Sequence, residues 1–203
     1  MLPVTKLEKA LGDSDRVLSP RTIYPNTPFT THLMKTLNDL FLEELSDMYD
    51  AEHRMYKSLP RLFKAATCRE LQQTLQNHIQ VTEGHIATLE RVFSCLDEKP
   101  KSRKCPAMAG IVQEAEDFAD EFSRTPVVNA AIIAAVQKAE HYEIASYGCL
   151  RSWAILLGNE EAAHLLEDIL DEEKMADDRL NQLSISKNQE ALEEHHPATQ
   201  QRH

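Results

Sequence analysis

A chain of 203 residues suits one compact domain with an appendage. With 42% hydrophobic and 27% charged residues, only 5 Gly and few aromatics, its composition is that of a globular helical protein rather than a turn-rich sheet fold. A net charge of -11 without a basic patch excludes nucleic acid as a partner, and the longest apolar run, Ala130 to Val136, falls far short of the ~20 residues a membrane span needs.

Residues 1–32 hold Pro3, Pro20, Pro25 and Pro28 and read as an irregular N-terminal arm. The arm's first residues carry Lys6, Glu8, Lys9, Asp13, Asp15 and Arg16, so they lack the apolar stretch of a secretory signal, and the chain is expected in the cytoplasm. Residues 33–186 form the expected bundle domain. Its first helix runs from Thr36 to Leu59, with Thr36 and Asp39 in capping positions and Pro60 as its end or a kink. A capping box of Thr67 and Glu70 opens the second helix, which continues to Leu96. A shorter helix follows from Pro106 to Phe122, inside a long connection. The third long helix starts at Thr125 with Pro126 in its first turn, where a missing N–H costs nothing, and ends near Gly158. Asn159 caps the fourth, which carries Glu160 and Glu161 at its positive end and runs to Leu183. Residues 187–203 read as a polar tail. Cys68, Cys95, Cys105 and Cys149 form no C-x-x-C pair and are expected to be reduced thiols.

Four long helices with a long link between the second and third describe an all-α, ferritin-like four-helix bundle whose crossover contains a short extra helix. An up-down bundle without the crossover is the alternative. Beyond the inward stripe, the first two helices carry second apolar faces, Leu37, Leu40, Phe41 and Ile79, Ile86, Phe93, so a homodimer is expected.

A bundle helix buries positions spaced three and four apart, and polar residues on that stripe require an explanation. The first helix reads Leu45, Met48, Glu52, Met55, Leu59. The second reads Leu71, Leu75, His78, Thr82, His85, Leu89, Val92. The third reads Ile133, Val136, Glu140, Glu143, Tyr147, Leu150, and the fourth Ala162, Leu166, Ile169, Glu173, then Ala176 or Asp177, then Leu180. Burying one ionised carboxylate costs several kcal/mol, so four in one core would exceed a domain's whole ~5 to 15 kcal/mol of stability. Two divalent cations would neutralise them, and hard carboxylate oxygen with imidazole nitrogen suits iron or manganese. Blander placements exist for single residues. Rotating the first stripe by one position exposes Glu52, and Glu173 lies in the acidic run Asp171, Glu172, Glu173. His85 admits both a ligand and a core-histidine reading, whereas His78 reads as a core histidine bonded to carboxylates, and Tyr147 as ordinary core packing.

The stretches LNDLFLEELSDMYDAEHRMYKSLPRL, HIQVTEGHIATLERVF, KAEHYEIASYGCLRSWAILLG and LEDILDEEKMADDRL resemble the YciE/YciF family of bacterial ferritin-like stress proteins, with AEHYEIASYG the most specific. The resemblance covers residues 33–183 and implies a dimeric cytoplasmic bundle linked to stress responses. More distantly the segments are similar to rubrerythrin, whose ligand pattern, carried over, falls on Glu52, His85, Glu140, Glu143 and Glu173. The sequence departs from that pattern at Thr82, where the second helix would have Glu, and at Ala176, where the fourth would have His; Asp177 stands one position late and is the substitute candidate. The rubredoxin-like cysteine module of rubrerythrin is absent from this sequence. The resulting expectation is a carboxylate protein of the di-iron or di-manganese type that reacts with oxygen or peroxide, with ligands Glu52, His85, Glu140, Glu143, Glu173 and Asp177 and one of its two positions incomplete. The rival from another class is a metal-free helical dimer, a structural or interaction protein whose inward polar groups form a hydrogen-bonded network.

Overall fold

A computed structural model describes residues 35–193, which form five α-helices: α1 (Leu37–Ala65), α2 (Arg69–Cys95), α3 (Pro106–Glu121), α4 (Val128–Leu156) and α5 (Glu160–Glu193). The arm at 1–32 and the last residues of the tail lie outside the described residues. Among the described residues no helix is long and apolar enough to cross a membrane.

The helix ends follow their local chemistry, in places differently from the sequence expectation. Thr36 and Asp39 close a full capping box on α1. Pro60 does not end that helix. It sits on the exposed side between buried Leu59 and Leu62, and the apolar stripe holds the helix together to Ala65. At α2 the cap is Cys68, not Thr67. Its Sγ accepts from Leu71 N at 3.4 Å, and its thiol donates to Glu70 at 2.9 Å. The N–H groups of Thr67 and Cys68 instead donate to Asn129 Oδ1, at 2.9 and 3.2 Å. Nor does α4 start at Thr125. The Thr125 hydroxyl donates to the Phe122 carbonyl and closes the end of α3, leaving Pro126 in the turn before α4. Gly158, at φ 78, ends α4 in the left-handed conformation that spares glycine a steric cost, with Gly158 N bonded to Ile155 O and Asn159 N to Ala154 O. Residues 187–193, expected in a polar tail, extend α5. Ala191 is buried there, and Lys187 pairs with Glu190 at 2.8 Å and Glu70 of α2 at 3.7 Å.

The topology follows from which side chains meet. Tyr49 bonds Glu90, so α1 and α2 are antiparallel, and Asn129 of α4 holds the start of α2, so α2 and α4 begin at one end of the bundle. Gln137 bonds Asn181 while Arg151 pairs with Glu167, which makes α4 and α5 antiparallel. Two parallel helices cannot be joined by a tight turn, and α3 is the return path. It runs beside α1, with Asp50 accepting from Cys105 N and Arg61 pairing with Glu116 and Asp120. The result is a ferritin-like four-helix bundle with α3 inside its crossover. Its core is one continuous apolar cluster, including Phe41, Leu45, Met48, Leu75, Leu89, Ile132 and Leu166, all essentially without exposure. Phe41 and Phe93 belong to this core and not to an outer face; of the surface expected to pair two copies, Leu37 and Leu40 are exposed and Ile79 and Ile86 are half-buried.

Candidate metal centre

Each long bundle helix interrupts its apolar stripe with polar residues at the same level. On α1, Glu52 lies between Met48 and Met55; on α2, His78, Thr82 and His85 lie between Leu75 and Leu89. Val136 and Leu150 bracket Glu140, Glu143 and Tyr147 on α4, and Ile169 and Leu180 bracket Glu173 on α5. Residues three and four apart share a helix face, so these side chains all turn inward. Glu52, His85, Glu140, Glu143 and Glu173 are each at most 2% exposed, and His78 is 6% exposed.

Inside the bundle they form two groups joined by Glu173. In the first, Glu52, His85 and Glu173 each offer a ligand atom within 4.8 Å of the others; in the second, His78, Glu140, Glu143 and Glu173 do the same. His85 Nδ1 lies 2.9 Å from Glu173 Oε1 and 3.5 Å from Glu52 Oε1, while Nε2 lies 2.9 Å from Glu172 Oε2. Tyr147 donates its hydroxyl to Glu52 Oε1. His78 Nε2 lies 3.3 Å from Glu140 Oε1. Thr82 turns its hydroxyl back to the His78 carbonyl at 2.9 Å and offers the centre nothing.

The electrostatics are those of a site lacking positive charge. Burial, reinforced by the Glu173 carboxylate and the other acidic neighbours, pushes Glu140 and Glu143 well above the ordinary carboxyl range. Burial also raises Glu52. For His85 burial acts downward, but Glu173 and Glu52 outweigh it and lift the imidazole to about 11. Glu173 is the counterpart: burial pushes it up, yet His85 holds it below its usual value. His78, buried and without a close bond to a charged acceptor, is lowered by its burial. Thus one ion pair, His85 with Glu173, stands among carboxyls that have none. Both oxygens of Glu140, both of Glu143 and Glu173 Oε2 lack any hydrogen-bond partner, and His85 Nδ1, though near Glu173, is outside hydrogen-bond geometry. Buried polar atoms are rarely left unpaired. Each of the two groups, carboxylate oxygens converging with an imidazole, could hold a metal ion.

The structure brings together Glu52, His85, Glu140, Glu143 and Glu173 but places Asp177 elsewhere. Asp177 faces the seam between α4 and α5, 3.3 Å from His141 Nε2, and accepts from Asn181 at 2.9 Å. The residue that sequence reasoning set aside is His78. It lies two turns before His85 on one face of α2, and the second group takes its imidazole from there rather than from α5, where Ala176 has none. Its signal was present in the stripe, but a Glu-x-x-His pattern directs attention to His85 alone. A larger cavity of about 440 Å³, lined by Leu42, Phe93 and Arg103, touches none of these residues.

Comparison with known proteins agrees with this architecture. Residues 36–201 match the model of a family described as a domain of unknown function, DUF892. The chain is 41% identical over 154 residues to the protein YciF of Escherichia coli, covering 75% of this chain and 93% of that one. The crystal structure of the E. coli stress protein YciF superposes with a TM-score of 0.74 at 40% identity, covering 77% of this chain and 99% of that one. YcfI of Rhodopseudomonas palustris, proposed to be a structural protein, superposes with a TM-score of 0.72 at 41% identity, covering 75% and 98%.

Proposed function

Since the chain belongs to the YciF-like DUF892 family, we propose that it is a ferritin-like carboxylate protein that holds two iron or manganese ions and reacts with oxygen or peroxide in a stress response. The observation carrying this reading is the set of unpartnered buried oxygens on Glu140, Glu143 and Glu173. Glu52, His85 and Glu173 would hold one ion; His78, Glu140, Glu143 and Glu173 would hold the other. Such ions, when bound, supply redox and Lewis-acid chemistry to a small oxidant. The chain's own residues prepare the place. Tyr147 fixes Glu52 by donating to it, and Glu172 accepts at His85 Nε2, which leaves Nδ1 as the free nitrogen facing inward. Apolar layers above and below, from Met48 and Leu75 to Leu89 and Leu150, exclude water. Elemental analysis of protein purified without chelator, followed by oxygen and peroxide consumption by the loaded protein, tests the reading. Less than one ion per chain after incubation with Fe²⁺ or Mn²⁺ would overturn it.

The structural role proposed for the Rhodopseudomonas relative favours a second reading, a metal-free bundle serving as a structural or interaction protein. The polar network such a protein needs is only half closed here. His85, Glu52, Tyr147 and Glu173 connect, but Glu140 and Glu143 accept nothing, and a half-satisfied network is worse than an apolar core. Under either reading the chain acts in the cytoplasm as a homodimer, with Leu37, Leu40, Ile155 and Leu156 exposed at the bundle end shared by the start of α1 and the finish of α4. Sedimentation as a monomer at micromolar concentration counts against that assembly.

A further inference from the structure

Four seams between neighbouring helices lead toward the centre, and they are not equally closed. Over the α1/α4 seam lies α3, where Tyr142 donates to Asp47 at 2.9 Å and meets Cys105 Sγ at 3.1 Å. Gln137 with Asn181 and His141 with Asp177 bridge the α4/α5 seam. Tyr49 covers the α1/α2 seam, edge-on to His53 and Phe93 and bonded to Glu90. The α2/α5 seam differs. It opens into a cleft of about 180 Å³ bordered by His78, Val81, Glu172, Met175, Ala176 and Arg179, so one carboxylate and one guanidinium stand on its rim. That volume accommodates a cation with several of its waters, each occupying about 30 Å³ in the liquid.

Both imidazoles of the centre border this cleft or touch its wall. His78 lines it directly, and His85 is bonded through Nε2 to Glu172, whose side chain is 51% exposed while His85 is 2% exposed. A single carboxylate therefore reaches from solvent to a buried ligand. Ala176 is the other notable border residue, because any longer side chain there projects into the opening. Glu52, Glu140 and Glu143, on α1 and α4, are buried and do not line the cleft.

We propose that the α2/α5 cleft is the port by which divalent cations reach the buried carboxylates, with Glu172 as the residue that receives them at its mouth. This rests on the two-ion reading of the centre. Glu172 releases His85 Nε2 as it takes a cation from water, and re-forms that hydrogen bond afterwards; His78, at the buried side of the cleft, is the next donor inward. A carboxylate here replaces lost waters of hydration one at a time, which lowers the barrier to dehydration.

The test is the rate of Co²⁺ uptake by the metal-free full chain, followed in a stopped-flow instrument by the visible absorption of bound cobalt, with stoichiometry measured at the end. Glu172→Gln keeps a hydrogen-bond acceptor for His85 and removes the charge; Ala176→Leu fills the cleft without replacing a ligand. Each should slow uptake by about tenfold or more, with the final stoichiometry of Ala176→Leu parental, and Gln137→Ala, in the α4/α5 seam, should load at the parental rate. Parental rates in both cleft variants, or equal slowing in the Gln137 variant, overturn the port and leave the centre standing. Failure of the parent itself to bind cobalt, manganese or iron removes the centre and the port together.

Discussion

His78 Nε2 lies 3.3 Å from Glu140 Oε1, so the two helices that begin at the same end of the bundle, α2 and α4, meet at the second group of the centre. The neighbouring atoms of Glu143 and Glu173 complete that group. His78→Ala is therefore expected to lower the capacity from two ions per chain to one, and His85→Ala to do the same at the other group. Each loss of an imidazole should weaken its position by about tenfold or more, since ligand and supporting residues typically contribute on that scale. Isothermal titration with Mn²⁺ resolves this. Two parental sites in His78→Ala would return His78 to the role of a core histidine.

Glu140 carries two oxygens with no partner at a fully buried position. Replacing it with Met, of similar volume, removes a buried polar group whose oxygens accept nothing, against the loss of the long contact to His78 and of the proton it shares with Glu173. Glu140→Met should then stabilise the metal-free protein by about 1 to 3 kcal/mol while abolishing binding at the second group. Denaturant unfolding in chelator, paired with metal titration, checks both. A destabilised variant with unchanged metal content would sink the assignment.

The same groups set a pH dependence. Burial raises Glu52, Glu140 and Glu143 above 4.5, and the carboxylates around His85 raise it from 6.5 to about 11. A group whose folded value is raised contributes stability that is full below its unfolded value and is lost as pH climbs through the folded one. All four therefore weaken the metal-free fold as pH rises. His78 and Glu173, held below their ordinary values, act in the opposite sense, contributing above 6.5 and 4.5 and losing that contribution in acid. Above pH 6.5 His78 and Glu173 add no slope, so His85, lifted to about 11, makes the metal-free melting temperature fall as pH rises beyond about 6.5. Bound metal reverses the slope, because ligands must shed their protons to bind and affinity rises with pH. Calorimetry in chelator and in excess Mn²⁺ measures both slopes; parallel curves would contradict the pairing of these carboxyls with metal.

Glu52, Glu140, Glu143 and Glu173 are legible in the chain because each breaks an apolar stripe with a period of three and four, and that period alone determines which side of a helix faces the core. Asp177 shows the limit of the same rule. Four residues beyond Glu173 it is turned by about 40° from it, since each residue advances about 100°. That rotation is enough to aim it at His141 in the α4/α5 seam. His78 fails for another reason: a stripe says that a side chain points inward but not which helix stands opposite, and only the register of α2 against α4 brings Glu140 to it. Pro60 and Thr125 belong to a third kind. The first is tolerated on the exposed side of a helix that its buried stripe holds in place, and the second serves the helix behind it rather than the one ahead. Neither choice is encoded within a few residues of sequence.

Tyr147 separates packing from chemistry. Its ring is fully buried on the α4 stripe, one turn beyond Glu143, and its hydroxyl donates to Glu52 across the bundle. As mere core filler it should tolerate Tyr147→Phe, which keeps the ring and removes only the hydroxyl. As a positioning residue it should not, because Glu52 would lose its only hydrogen-bond donor outside the His85 contact. Loss of a buried bond to a charged acceptor costs about 1.5 to 3 kcal/mol, so the metal-free variant should unfold at lower denaturant. Metal binding supplies the discriminating readout. Glu52 belongs to the group with His85 and Glu173, so Tyr147→Phe should weaken that position while the one built from His78, Glu140 and Glu143 keeps its affinity. Equal weakening of both positions would mean that the variant loosens the bundle as a whole, and parental binding at both would reduce Tyr147 to packing.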